Sequence, residues 1–226
     1  AELSNKWGMF CFSDARKLIM KNQIKLKDNI DVKSIHDELD KLSLWKQAYS
    51  TLGVPNKPNS PWLNSSAISL VSVERPDLKY SSAHIPTIPH SDPEAGTRTS
   101  LKECLLPGMF MVDSIDQFPN TQKFLIWFIN EYQGEIGRVM LYNLPPKLSV
   151  GEHSDKGIYF KDKDRFHVVI SGKYIYTTNR NNKEQYNEGD LWWFNNKVLH
   201  KSYNNGTIVK ISLVFDVYKS NWRKMV

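Results

Sequence analysis

From Gly137 onward the chain is a succession of short β-rich runs cut by turn signals, and that texture limits its fold more than any other feature. Gly137–Leu144, Leu148–His153, Phe166–Ile170, Lys173–Thr177, Asp190–Phe194 and Thr207–Val217 are rich in the branched and aromatic residues that suit a pleated surface. Pro145-Pro146, Asn181-Asn182, Glu188-Gly189 and Asn204-Asn205-Gly206 supply the turns between them. Many short strands with short connections predict an antiparallel sandwich or a squat barrel.

The first half reads differently, and its first fifty residues read as helical. Ser13 is placed to cap a short helix through Asn22, and Asp31 a longer one in which Ile35, Leu39, Leu42 and Trp45 recur at helical spacing. A segment rich in Pro, Ser and Asn, Val54 to Ser66, breaks that pattern, and Ala67 to Val73 reads as a strand. Ser81 to Ser100 holds Pro86, Pro89, Pro93 and Gly96 and predicts a long loop, the kind that serves as a lid or a substrate-binding segment. A helix is expected over Asn120 to Gln133. No composition shift marks a linker, so residues 1–226 are read as a single domain, with 1–136 a helical and irregular buttress and 137–218 the core strands.

Seven Trp, ten Tyr and ten Phe argue against a disordered chain. The longest clear apolar run, Phe124 to Ile129, is far too short to cross a membrane, and the start AELSNKWGMF lacks the pattern of a signal peptide. Cys11 and Cys104 cannot build a disulfide framework. A reduced, cytoplasmic setting with no membrane partner is the expectation. Of the net +6, all falls in Lys147 to Val226, where 14 Lys+Arg face 8 Asp+Glu; the first 146 residues carry 16 of each. A nucleic-acid surface, a small-anion site and a merely solvated face all predict such a bias.

Three of the six histidines, His153, His167 and His200, lie in the β-rich region. In His153-Ser154-Asp155 the imidazole and the carboxylate are two residues apart and share a face of an extended segment. His200 follows Asp155 by 45 residues, beside another strand-like run. Two imidazoles and a carboxylate on neighbouring strands make a facial triad, a donor set suited to non-haem Fe(II) that leaves positions open for a cosubstrate and dioxygen. An isolated His-x-Asp is more often a loop histidine followed by a turn carboxylate. Two neighbours change that balance. Arg165 and His167 share one face of a strand, and Lys210, ten residues after His200, is a cation among apolar neighbours (Ile208, Val209, Ile211, Leu213). Such a cation calls for an anion, and a bound dicarboxylate is the simplest one. His84, His90 and Arg98 are read as loop residues outside the metal set, and of Trp192 and Trp193 one should face inward and the other outward.

The order Gly137-Arg138-Val139-Met140-Leu141-Tyr142-Asn143-Leu144-Pro145-Pro146, His153-Ser154-Asp155, Arg165-Phe166-His167, Gly189-Asp190-Leu191-Trp192-Trp193-Phe194, His200, Lys210 and Phe215-Asp216-Val217 resembles the aspartyl/asparaginyl β-hydroxylase family of Fe(II)- and 2-oxoglutarate-dependent oxygenases, which includes hydroxylases of free proline. The resemblance runs from Gly137 to Tyr218. It implies a mainly β fold with flanking helices on a double-stranded β-helix, that is, a jelly-roll, cupin-like core. It implies that His153, Asp155 and His200 hold iron and that Arg165 and His167 approach the cosubstrate near its chelating end. The position of Lys210 usually holds an arginine that binds the distal carboxylate of 2-oxoglutarate, so this chain replaces a bidentate fork with a point charge. Tyr142 is a candidate for a further hydrogen bond to that carboxylate. The presence of Asp155 favours hydroxylation over halogenation, which needs that position free for a halide.

The activity expected is hydroxylation of an amino acid, free or in a polypeptide, with Fe(II), 2-oxoglutarate and O2 consumed through a ferryl intermediate and succinate and CO2 released. A nucleic-acid oxygenase of the demethylase type shares the His-x-Asp…His logic, and the positive charge allows it. A jelly-roll binding or structural protein that has lost catalysis is the third reading. The residues that select a substrate are expected in the first half and in the Ser81 to Ser100 loop.

Overall fold

The computed structural model describes residues 21–39, 44–48, 60–73 and 97–224. Twelve strands are seen among them: β1 (Gln23–Lys27), β2 (Lys46–Gln47), β3 (Ser66–Val73), β4 (Met109–Met111), β5 (Glu135–Leu144), β6 (Ser149–His153), β7 (Lys163–Ser171), β8 (Lys173–Thr178), β9 (Asn182–Asn187), β10 (Leu191–Phe194), β11 (His200–Tyr203) and β12 (Lys210–Tyr218). Three helices accompany them: α1 (Lys33–His36), α2 (Leu101–Cys104) and α3 (Pro119–Tyr132).

The strands form two antiparallel sheets. The larger runs β1-β10-β7-β12-β5-β3-β2, with β4 paired to β3, and the smaller runs β6-β11-β8-β9. Between β5 and β12 the chain crosses from one sheet to the other and back, so that β5, β7, β10 and β12 lie in the large sheet and β6, β8, β9 and β11 in the small one. That winding is a double-stranded β-helix, a jelly roll with helices on one side.

Alternation along the strands gives the large sheet two unlike faces. Phe166, Val168 and Ile170 of β7, Leu213, Phe215 and Val217 of β12, and Val139 and Leu141 of β5 join a core with Phe124, Leu125, Phe128 and Ile129 of α3. Phe128 meets Phe166 and Phe215 edge-on at 4.8 Å each. The opposite face, toward the small sheet, buries Val169, Tyr174, Tyr176, Tyr186, Trp192 and Phe194 together. Trp192 stacks on Tyr186 at 4.2 Å inside the roll, while Trp193 packs on Trp222 outside it, as expected for adjacent residues of a strand.

The predicted strand at Ala67 to Val73, the helix at Asn120 to Gln133 and the six β-rich runs all appear, with ends shifted by a few residues. The largest correction concerns the first fifty residues. Gln23–Lys27 is a strand on the edge of the large sheet, paired with β10, because its alternating Ile24, Lys25, Leu26 and Lys27 fit a half-covered edge better than a helix. The helix expected from Asp31 shrinks to α1; Asp31 Oδ1 does accept from the backbone N–H of Lys33 at 3.1 Å, but Trp45 already adjoins β2. The short α2, capped by Ser100, and the strands β9 and β11 had no strong apolar pattern, and β4, though apolar, is only three residues long. The Ser13 to Asn22 helix falls mostly outside the described residues, as do Cys11, Leu42, His84, His90 and the Ser81 to Ser100 loop up to residue 96. No helix among the described residues is long and apolar enough to cross a membrane.

Candidate metal centre

β6 and β11 are neighbours in the small sheet, and their register sets His153, the last residue of β6, directly opposite His200, the first of β11. The rings lie 4.2 Å apart between centroids. Each is oriented by its own backbone. Nδ1 of His153 lies 2.8 Å from the carbonyl oxygen of Gly151, and Nδ1 of His200 lies 2.9 Å from that of Val198. A carbonyl only accepts, so both Nδ1 atoms carry the proton and both Nε2 atoms keep a lone pair. Nε2 of His153 is buried without a hydrogen-bond partner among the described residues, the state of a ligand atom prepared for a metal. Burial pushes the pKa of His153 down and that of His200 to about 4, so both rings are neutral ligands at pH 7.

Asp155 follows β6 in a loop anchored to the turn before β11: its N–H donates to the carbonyl of Asn196 at 2.9 Å. Oδ2 accepts from Nδ2 of Asn196 at 3.0 Å and, in a very close contact, from Nη1 of Arg165. Oδ1 is 4.0 Å from Nε2 of His153. One ligand atom from each of His153, Asp155 and His200 can be chosen so that all lie within 4.8 Å of one another. Burial opposes the charge on Asp155, yet Arg165 and the two imidazoles outweigh it and hold the pKa at about 2. Two neutral imidazoles and one ionised carboxylate oxygen fit the donor set of a facial triad for Fe(II).

The cavity beside these residues is lined by Trp62, Tyr142, Arg165, His167, Tyr176, Phe194 and Lys210, among others. The sequence-derived site residues His153, His200, Arg165, His167, Tyr142 and Lys210 thus all line one cavity, and Asp155 neighbours three of them, His153, His200 and Arg165. Lys210, at the start of β12, is 4% exposed, with Nζ 4.0 Å from the centre of the Tyr174 ring. It has no carboxylate partner among the described residues, and burial alone brings its pKa down to about 7. His167 sits between Tyr174, whose hydroxyl is 3.1 Å from Nδ1, and the edge of Phe194. Burial and the nearby Lys210 keep it neutral.

Arg165 is held by carboxylates of the chain itself. It lines the cavity, but its cation is already matched by Asp155 and by Asp216, whose two oxygens accept from Nε at 2.7 Å and from Nη2 at 3.0 Å. The hydroxyl of Tyr142 donates to Sδ of Met140 at 3.0 Å, and its ring stacks on Trp62 at 5.7 Å. Trp62 also meets His153 edge-on at 4.6 Å. It is held there because the carbonyl of Pro61 accepts from the N–H of Gly151 at 2.9 Å, an approach in which any side chain at Gly151 would press on Pro61.

Trp62, Asn196 and Asp216 are the participants that sequence reasoning left without a role. Asp216 had a usable signal, a charge between Phe215 and Val217 that parallels Lys210. Trp62 and Asn196 lie in polar, turn-rich stretches and had none.

A jelly roll with a three-ligand cluster at one end of its small sheet defines the class of protein. The model of the aspartyl/asparaginyl β-hydroxylase family matches residues 88–220, and the chain belongs to that family. The match begins well before Gly137, so α2 and α3 are part of the shared unit. Membership identifies a hydroxylase-type oxygenase at the level of the family and implies dependence on Fe(II) and 2-oxoglutarate. No curated protein matches the chain. Among solved structures, a predicted oxalate decarboxylase of Thermotoga maritima is 18% identical over 37% of this chain and 67% of its own, with a TM-score of 0.31. The cupin domain of an XRE family transcriptional regulator of Enterobacter cloacae is 15% identical over 36% and 80%, with a TM-score of 0.32. A cupin barrel protein of Salinispora arenicola is 12% identical over 36% and 63%, with a TM-score of 0.30.

Proposed function

We propose that this chain is an Fe(II)- and 2-oxoglutarate-dependent oxygenase that hydroxylates an amino acid, free or within a polypeptide. The observation that carries the proposal is the pairing, in one cavity, of a convergent His153-Asp155-His200 set with a buried cation, Lys210, that has no carboxylate partner among the described residues. When bound, the metal and its 2-oxo acid supply the oxygen-activating chemistry, with succinate and CO2 as by-products.

The chain's own residues supply position and charge. His153 and His200 offer lone pairs fixed by the carbonyls of Gly151 and Val198. Lys210 is set to pair with the far carboxylate of the cosubstrate, and that pairing draws its proton back on at neutral pH. Tyr176 and Phe194 wall the cavity with rings and exclude water from the metal side.

The test is spectroscopic and then catalytic. Protein mixed anaerobically with Fe(II) and 2-oxoglutarate is expected to develop a weak visible charge-transfer band, and admission of oxygen to yield succinate, faster with the right amino acid or peptide. Absence of both would overturn the reading. Turnover with methylated oligonucleotides and not with amino acids would replace the substrate class while keeping the cofactors.

A further inference from the structure

Asp216 stands on β12 opposite Arg165 of β7, both on the inner face of the large sheet. Its carboxylate is buried, 2% exposed, and grips one edge of the Arg165 guanidinium through two hydrogen bonds, Nε to Oδ1 and Nη2 to Oδ2. That edge is one of the two on which an arginine can take a carboxylate at two points; on the other, Nη1 with Nη2, Asp155 meets Nη1. With it occupied, Arg165 has Nη1 to give to Asp155, and Nη1 reaches Oδ2, the oxygen that Asn196 also holds. Oδ1 of Asp155 remains the oxygen on the side of His153 and His200.

We propose that Asp216 is a positioning residue for the metal centre: by anchoring the Nε–Nη2 edge of Arg165 it holds the guanidinium where Nη1 alone bonds Asp155, at Oδ2, and so keeps Oδ1 free to bind a divalent metal. The inference rests on reading His153, Asp155 and His200 as a metal site. A guanidinium released from Asp216 has a strong alternative, a second N–H on Asp155, and each such charge-assisted bond competes directly with metal coordination. Arg138, whose Nε lies 3.6 Å from Asp216 Oδ2 without a hydrogen bond, does not hold Asp155 and cannot take over the restraint.

The experiment is a Co(II) titration followed by visible absorption, with Co(II) standing in for Fe(II), on the wild type, Asp216→Asn, Arg165→Met and the double variant. Asp216→Asn is expected to weaken Co(II) binding by about 10- to 100-fold, the usual cost of losing an outer partner of a ligand, and to shift the d–d bands. Adding Arg165→Met to it removes the competitor and is expected to restore affinity to within about twofold of Arg165→Met alone. A purely structural Asp216 would give no such rescue. Thermal unfolding of all four reports folding separately; should Asp216→Asn fail to fold, the comparison of Arg165→Met with the double variant still decides, since equal affinities support the proposal and a large further loss overturns it. Unchanged Co(II) affinity and spectrum in folded Asp216→Asn, or a double variant that binds no better than it, would overturn the proposal while leaving the metal reading intact. A wild type that binds no Co(II) would overturn both.

Discussion

On β7, Phe166, Val168 and Ile170 point to the helices while Arg165 and His167 point into the roll; on β12, Leu213 and Phe215 contrast in the same way with Lys210 and Asp216. The same strands therefore build a dry core on one face and a charged cavity on the other. The difference is energetic as well as chemical. The outer face gains from every buried apolar group, roughly 1.5–3 kcal/mol per large side chain. The inner face buries Arg165, Asp216, Asp155 and Lys210, groups that cost stability unless paired, and three of the four are paired with one another. The fourth, Lys210, has no carboxylate partner among the described residues and is offset only in part by the face of the Tyr174 ring.

The largest effect should come from breaking the inner face at its ligands. His153→Ala and Asp155→Ala are each expected to abolish turnover and to remove Co(II) binding at micromolar metal, with little change in unfolding temperature for His153→Ala and a fall for Asp155→Ala, which leaves Nη1 of Arg165 without its carboxylate. Wild-type rates in either variant would disprove the ligand assignment.

Phe128→Ala breaks the outer face instead. It removes the ring between Phe166 and Phe215 and is expected to cost about 3–5 kcal/mol in denaturant unfolding, while the folded protein keeps its Co(II) affinity. Metal binding that falls in step with stability would show that the two faces are not independent.

Lys210→Met should reverse that pattern, with higher stability and poorer cosubstrate binding. In the folded chain the lysine's pKa is depressed from 10.5 to about 7. Below pH 7 both folded and unfolded chains hold the proton, and the folded state bears the full cost. Between pH 7 and 10.5 the unfolded chain alone holds it, so stability rises with pH; above 10.5 the cost is gone. At about 1.4 kcal/mol per pKa unit, the methionine variant should be more stable by a few kcal/mol at pH 7 and below, and by nothing near pH 11. Its half-saturation for 2-oxoglutarate should rise roughly 30-fold or more with Co(II) affinity unchanged, since the loss is that of one partner of a buried charge pair. Equal loss of metal and cosubstrate would assign Lys210 to the architecture.

The same contrast governs what the sequence made legible. The outer face and the roll were readable because their signals are local: the β-rich runs after Gly137 and the apolar stripe of α3. The candidate ligands could be picked out because His153-x-Asp155, His200 and Lys210 are charged or polar groups at fixed spacing among strand residues. The edge strand β1 was misread as helix because its pairing with β10 spans more than 160 residues and nothing nearby announces it. The polar β9 was hidden for a like reason, as Asn182, Lys183, Glu184 and Gln185 owe their strand conformation to hydrogen bonds with β8 and not to burial. The partners that Arg165 has within the chain were not legible. The competing carboxylate, Asp216, is 51 residues away, and only the register of β7 against β12 brings the two together.

The smallest expected effect tests the least anchored of the inner-face residues. Tyr142 lines the same cavity as Lys210, and its hydroxyl makes only a weak bond to the thioether of Met140. Burial pushes its pKa up, so it stays a neutral donor at any working pH. A carboxylate held by Lys210 is a better acceptor than sulfur, and the hydroxyl should turn to it when it arrives. Tyr142→Phe keeps the ring against Trp62 and removes that one donor. The half-saturation for 2-oxoglutarate is then expected to rise about two- to tenfold, the worth of a single hydrogen bond, with stability and Co(II) affinity unchanged. No change in 2-oxoglutarate binding would leave Tyr142 as a wall of the cavity and Lys210 as the only inner-face group that meets the distal carboxylate.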